Sequence, residues 1–169
     1  MKKILFSAIM LFGMCIGMNA QKIKWDGPSA LTWQVKRCYV KNDRCMIDLL
    51  TTNEGSQDIQ IFLKSRYEEK RQFTVVYDDE GNSYEYWFSS KAQASKRILN
   101  SETLFNGQSD RTGPLWYELP AGLTVKAHIV LNDFDEYATK LSLVKLMFGG
   151  IPGGSYATLE IRDLPVKRD

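Results

Sequence analysis

A chain of 169 residues with 22 Lys and Arg against 20 Asp and Glu, 44% hydrophobic and 12% aromatic, has the size and composition of one folded domain and excludes a disordered tail. The formal charge of +2 belongs to the first twenty residues. These hold Lys2, Lys3 and no acid, so residues 21–169 carry 20 basic and 20 acidic side chains. Nucleic-acid binding requires a clustered positive field. Neither this total nor any single segment supplies one, and no nucleic-acid partner is expected.

Met1, Lys2 and Lys3 form a positive start, Ile4–Ile16 is apolar apart from Ser7 and small residues, and Met18-Asn19-Ala20 ends on a small residue before Gln21. This is the pattern of a secretory signal peptide over residues 1–20. A membrane-crossing helix needs about 20 apolar residues; this run is too short, and no other segment comes close, so no membrane span is expected in the mature chain. Leu11-Phe12-Gly13-Met14 makes a poor lipoprotein box before Cys15. The expected location is exported: periplasmic, cell-surface or extracellular.

Residues 21–29 read as a lead-in closed by the turn signal Asp26-Gly27-Pro28-Ser29, and residues 30–166 as a single domain before a charged tail, 167–169. Two extended runs, Leu31–Val40 and Arg44–Thr52, flank a hairpin turn. Cys38 and Cys45 sit on either side of it, and export makes a disulfide the default for such a pair. Register argues the other way. Aligning Trp33, Val35 and Tyr39 with Cys45, Ile47 and Leu49 pairs Val35 with Leu49 and sets Cys38 opposite Met46, with the two sulfurs on opposite faces. A one-residue bulge would bring them back together, so a disulfide and two thiols both stand as readings.

Further strands are expected at Asp58–Leu63, Phe73–Asp78, Ser83–Ser89, Leu123–Asn132, Lys140–Phe148 and Tyr156–Asp163, where apolar residues alternate between Gly, Asn and Asp clusters. Arg66–Arg71 could form one exposed turn, and Ser89–Leu99 has mild helical composition without an apolar face. Residues 100–114 form a polar loop of a length usually tied to function or flexibility. Eight or so short, closely spaced strands predict an antiparallel β-sandwich, with a closed barrel as competitor.

Three stretches carry a family likeness: Tyr77–Tyr84 with its Asp78-Asp79-Glu80-Gly81-Asn82 turn, Leu119–Lys126, and Leu159–Val166. With Thr51-Thr52-Asn53, they resemble a group of small exported immunoglobulin-like β-sandwich proteins of Gram-negative bacteria. The resemblance spans most of the mature chain and rests on turn and strand-edge chemistry. It implies an immunoglobulin-like sandwich and export. It implies no activity and no site residues.

Candidate sites are few. Asp78–Asn82 offers oxygen ligands around a glycine, but Tyr84, Tyr86 and Trp87 stand where further calcium ligands would be needed, so a hairpin turn is expected. Gly149–Ser155 lacks the Lys and the following helix of a phosphate-binding loop and the setting of a nucleophile elbow. His128, the only histidine, shares its side of a strand with Thr124, Lys126 and Val130; it suits neither a His-rich metal site nor a recognisable triad. No cofactor or metal is expected. Trp87, Trp116 and Tyr117 are the candidate ligand contacts, as flat aromatics for a sugar ring or a partner's side chain. The expected function is a non-enzymatic exported binding or structural module of the cell envelope with a protein or glycan partner. The alternative is a glycan-acting hydrolase using paired carboxylates.

Overall fold

The computed structural model describes residues 22–64, 73–85, 99–100, 116–152, 154 and 156–168. Trp87, Arg66–Arg71, nearly all of Ser89–Leu99 and of the 100–114 loop, and the far end of the strand expected at Ser83–Ser89 lie outside the described residues. The described chain forms strands and no helix. In order these are β1 (Lys22–Trp25), β2 (Leu31–Lys41), β3 (Arg44–Asn53), β4 (Ile59–Leu63), β5 (Val75–Asp78), β6 (Ser83–Glu85), β7 (Leu99–Asn100), β8 (Tyr117–Leu119), β9 (Thr124–Leu131), β10 (Lys140–Gly149), β11 (Ala157–Pro165) and β12 (Lys167–Arg168).

Two sheets result, and neither closes into a barrel. The first runs β1-β11-β10-β4-β8, with β5 and β6 attached beside β10; the second runs β12-β2-β3-β9-β7. All the pairings are antiparallel except that of β12 with β2. The order follows from chain chemistry. Asn42 and Asp43 both adopt positive φ, 51° and 58°, the conformation that lets a two-residue turn match the twist of its flanking strands. It folds β3 straight back along β2.

Alternation then sorts the faces. Cys45, Ile47 and Leu49 of β3, Ala127, Ile129 and Leu131 of β9, and Leu31 and Cys38 of β2 are buried, as are Ile59, Ile61 and Leu63 of β4, Val144, Leu146 and Phe148 of β10 and Leu159 and Ile161 of β11. These belong to one core shared by both sheets, a β-sandwich-like arrangement. Three aromatics bridge the layers at one end: Trp33 of the second sheet stacks on Phe148 of the first at 5.1 Å, and Trp25 packs on both, at 5.5 and 6.1 Å.

The register of β2 departs from a simple alternation. Val35 faces Leu49, as the pattern predicts, but Arg37 faces Asp48 and Cys38 faces Ile47. The pairing shifts between Val35 and Arg37, so Lys36 is an extra residue, a β-bulge. Everything after it swaps faces. Cys38 enters the core, and Tyr39 and Arg37 are left on the outer surface, which corrects the register that set Cys38 opposite Met46.

The Asp78–Asn82 segment forms the β5–β6 hairpin, with Gly81 at φ 84°. Asp78 is 3% exposed. It accepts hydrogen bonds from the backbone N–H of Glu80 and Asn82, from Asn82 Nδ2 and from the Tyr84 hydroxyl. A carboxylate engaged by that many donors acts as the turn's internal anchor. Asp79 beside it ties the hairpin to the start of β10, accepting from the Thr139 hydroxyl at 2.6 Å and from the N–H of Thr139 and Lys140.

Burial works to raise the pKa of Asp79, but the hydrogen bonds from Thr139 and Lys140 outweigh it and hold the carboxyl below its ordinary value of 3.8. A group depressed in this way contributes stability that is present above the unfolded-state pKa and is lost as pH falls through the folded-state one. Asp79→Asn is therefore expected to lower stability at neutral pH by about 1 kcal/mol and to flatten the loss of stability below pH about 4. Urea unfolding of both proteins at neutral and acid pH measures this; parallel curves would assign the acid sensitivity to other carboxylates.

Candidate functional site

Among the described residues, chemistry gathers at the cysteine pair in the core, at an aromatic patch on the first sheet and at charged depressions on the second. The bulge at Lys36 creates the first. Cys38 and Cys45 are 3% and 0% exposed, unbonded, with their sulfurs 3.6 Å apart. The hydrogen bond with Cys45 and then burial push the Cys38 thiol far up from its ordinary value, so Cys38 is a poor source of thiolate once the domain has folded.

The aromatic patch lies where β4, β10 and the loop before β8 meet. Trp116 is 54% exposed and packs edge-on against Phe62 of β4, with ring centroids 4.7 Å apart. Phe62 pairs with Gly149, and its ring occupies the space a side chain there would need: a Cβ on Gly149 would fall 2.3 Å from the ring. Gly150, at φ 82°, does the same for Trp116, since a Cβ would come 2.6 Å from the indole and 2.7 Å from the Gln60 carbonyl. Two side-chain-free positions thus let both rings lie down on the sheet end. Tyr156, 51% exposed, enters β11 beside the same end of β10, and Lys64 Nζ sits 3.6 Å over its ring.

Of the three aromatics singled out from sequence, Trp116 joins this surface. Tyr117 is 6% exposed and turns into the core, because adjacent residues on a strand face opposite ways. Trp87 lies outside the described residues. Phe62 and Tyr156 were not marked by sequence; the signal for Phe62 is Gly149, which with Gly150 reads as a loop until strand pairing places the two under the rings of Phe62 and Trp116.

The charged depression lies on the outer face of the second sheet, about 490 Å³ in volume, lined by Lys36, Arg37, Asp48, Leu49, Leu50, Lys126 and His128. Asp48 faces Arg37 on one side and His128 on the other by strand register. Its Oδ2 accepts from Arg37 Nε, and its Oδ1 lies 2.6 Å from His128 Nδ1. The hydrogen bond to Asp48 is the main reason the Arg37 guanidinium is held above its ordinary pKa. An Asp–His pair invites comparison with a hydrolase dyad, but none of the other lining side chains is a hydroxyl or thiol nucleophile. A second depression, about 810 Å³, adjoins it through Arg37 and is lined by Tyr39, Val40, Lys41, Asn42, Asp43, Lys167 and Arg168. Among the described residues each of these depressions carries one carboxylate, half of what a glycosidase pair requires. No group of three or more metal-ligating side chains occurs among the described residues.

Comparison of the chain with protein-family models, with curated proteins and with solved structures finds no match in any of the three. The fold and these surfaces define an all-β domain of two sheets; among the described residues no helix is long and apolar enough to cross a membrane.

The cysteine geometry generates a chemical expectation. Closing a bond of roughly 2.05 Å requires the two sulfurs to move together from contact distance and to pass two protons and two electrons to an oxidant. Folding in the presence of oxidised glutathione, itself reduced to two thiols, is expected to give protein lighter by two hydrogens, with unfolding stability raised by about 2–3 kcal/mol for so short a loop. Intact mass after denaturation, with and without reductant, checks it; a mass that does not change would leave the pair as two core thiols.

Proposed function

We propose that the chain is an exported, non-enzymatic binding module of the bacterial cell envelope, built as an immunoglobulin-like sandwich, and that it holds a glycan through the aromatic patch around Trp116. The signal-like residues 1–20 and the turn motifs at Tyr77–Tyr84, Leu119–Lys126 and Leu159–Val166 support export and the immunoglobulin-like type. The exposure of Trp116 carries the binding reading.

An indole of that size is ordinarily drawn into the core. Here it lies on the surface, braced by Phe62 and seated over Gly150, with Tyr156 and Lys64 at the same strand end. A rigid aromatic plane stacks on the apolar face of a sugar ring with little loss of side-chain entropy, and a nearby amine can reach the ring's hydroxyls. The reading of a non-enzyme is supported by the saturated carboxylate of Asp78 and by the single carboxylate in each depression.

Titration of the protein with soluble peptidoglycan fragments and with the core oligosaccharide of lipopolysaccharide, followed by calorimetry, tests the proposal. Trp116→Ala is expected to weaken binding about tenfold or more, and Gly150→Ala to weaken it by displacing the indole, while unfolding stability of Trp116→Ala changes by less than about 1 kcal/mol. Binding that survives both substitutions, or no binding to either glycan, overturns the glycan reading. Capture of a defined envelope protein lost in Trp116→Ala would replace glycan by protein as the partner.

A further inference from the structure

The outer face of the second sheet is organised for something other than a sugar ring. Lys36 and Arg37 come from the bulge of β2, Asp48 from β3, and Lys126 and His128 from β9. The depression they line holds three fixed cations and one carboxylate, an excess of two positive charges with His128 neutral. Residues 21–169 balance to zero, and the adjoining depression, with Arg37, Lys41, Lys167 and Arg168 against Asp43, is positive as well.

The carboxylate does not oppose an anion as an exposed acid would. Asp48 is 8% exposed and is covered by its two partners, Arg37 and His128, whose side chains are 60% and 41% exposed. A carboxylate can only accept hydrogen bonds, so the proton between it and His128 lies on Nδ1. The imidazole is thereby fixed in orientation, with Nε2 as its remaining polar atom. Lys36 and Lys126 are both exposed, and Leu50, half-buried on the outer face, gives the depression an apolar component. Its volume lies in the range of small-molecule sites.

We propose that this depression is a binding site for a dianionic phosphoryl group carried on a small, partly apolar molecule. The charge count matches a phosphomonoester, which carries about −1.5 to −2 near neutral pH. Lysine amines bind phosphate as point charges from flexible stems, and Lys36 and Lys126 reach the depression from two different strands. Asp48 is a positioning residue: it holds Arg37 in place and does not itself contact the ligand, and the neutral His128, whose Nε2 can only accept, makes no hydrogen bond to the dianion. The site is separate from the Trp116 patch in residues and in sheet, so it stands or falls independently of the glycan reading.

Isotope-labelled protein titrated with phenyl phosphate, inorganic phosphate and benzoate, and followed by NMR, tests it. Phenyl phosphate is expected to give saturable amide shifts centred on residues 35–38, 47–50 and 126–128. Inorganic phosphate should bind the same residues more weakly for want of the apolar body, and benzoate, with a single charge, more weakly than phenyl phosphate. Lys36→Ala combined with Lys126→Ala, both surface changes that leave the core intact, is expected to weaken phenyl phosphate about tenfold or more. Lys24→Ala on β1 should leave it unchanged. Shifts that do not saturate, that spread equally over the surface, or that respond as much to Lys24→Ala as to the double change would overturn the proposal. Binding of benzoate as tight as that of phenyl phosphate would overturn the phosphoryl assignment.

Discussion

The single inserted residue in β2 is the constraint on which the second sheet's chemistry depends. With strict alternation after Val35, Cys38 would point outward and Arg37 inward, placing a guanidinium in a core lined by Ile47, Leu49 and Ile129. Burying that charge without a partner is prohibitive. The bulge at Lys36 removes the conflict in one step: it moves Cys38 inside, turns Arg37 out, and delivers the guanidinium to Asp48 across the strand pair. Bulges are frequent beside functional sites because they re-aim a side chain without breaking the sheet. Here one bulge re-aims both a core residue and a surface cation.

Polar anchors at the strand ends hold the layers in the positions that the bulge presumes. Asn53, 0% exposed at the end of β3, donates from Nδ2 to the carbonyls of Gln57 and Leu119 and accepts from the N–H of Gly55. Its backbone N–H donates to Leu123 O, and its carbonyl accepts from Gly122 N–H. One buried amide thus ties the β3–β4 connection to the turn between β8 and β9, across both sheets. Asp78 performs the corresponding task in the β5–β6 hairpin, with Asn82 also reaching Asp135 and the Asp135 N–H donating to Tyr84. Buried polar groups fully satisfied in this way rigidify a core more than they stabilise it. The consequence is a fixed frame at the β3–β4 connection and at the β5–β6 hairpin.

What could be read from the sequence follows from which physical signal dominates locally. Long half-buried strands announce themselves by period two, so β2, β3, β4, β9, β10 and β11 lie within a residue or two of their expected bounds. Four short strands give no such signal. β1 and β12 carry Lys22, Lys24, Lys167 and Arg168 and are edge strands, where charge belongs and alternation fades; β7 and β8 are too short to show a period. A bulge was weighed as one way to bring the cysteines together, but its place was not legible, because Val35-Lys36-Arg37 contains nothing that distinguishes an extra residue from an ordinary outward one. Only matching both cysteines to the inner face would have required it. Trp116 was legible as a candidate because it borders a loop, whereas its floor was not, since glycines reveal a packing role only when another strand's ring lies over them.

Charge balance misleads for a related reason. A segment-by-segment count finds no basic cluster, because Lys36 and Arg37 are separated by about ninety residues of chain from Lys126 and His128. Antiparallel pairing of β2 with β3 and of β3 with β9 removes that separation and aligns the four across adjacent strands. Neighbouring strands lie about 4.8 Å apart, and the screening length at physiological ionic strength is about 8 Å. A small ligand lying over β3 is one strand spacing from the cations of β2 and of β9, within the screening length of both, while charges at the far sheet edges are screened from it. Net neutrality removes the long-range steering that a basic protein exerts, yet it leaves this local field intact. A domain of zero total charge can hold an anion at one face, provided that sheet register rather than sequence proximity assembles the cations.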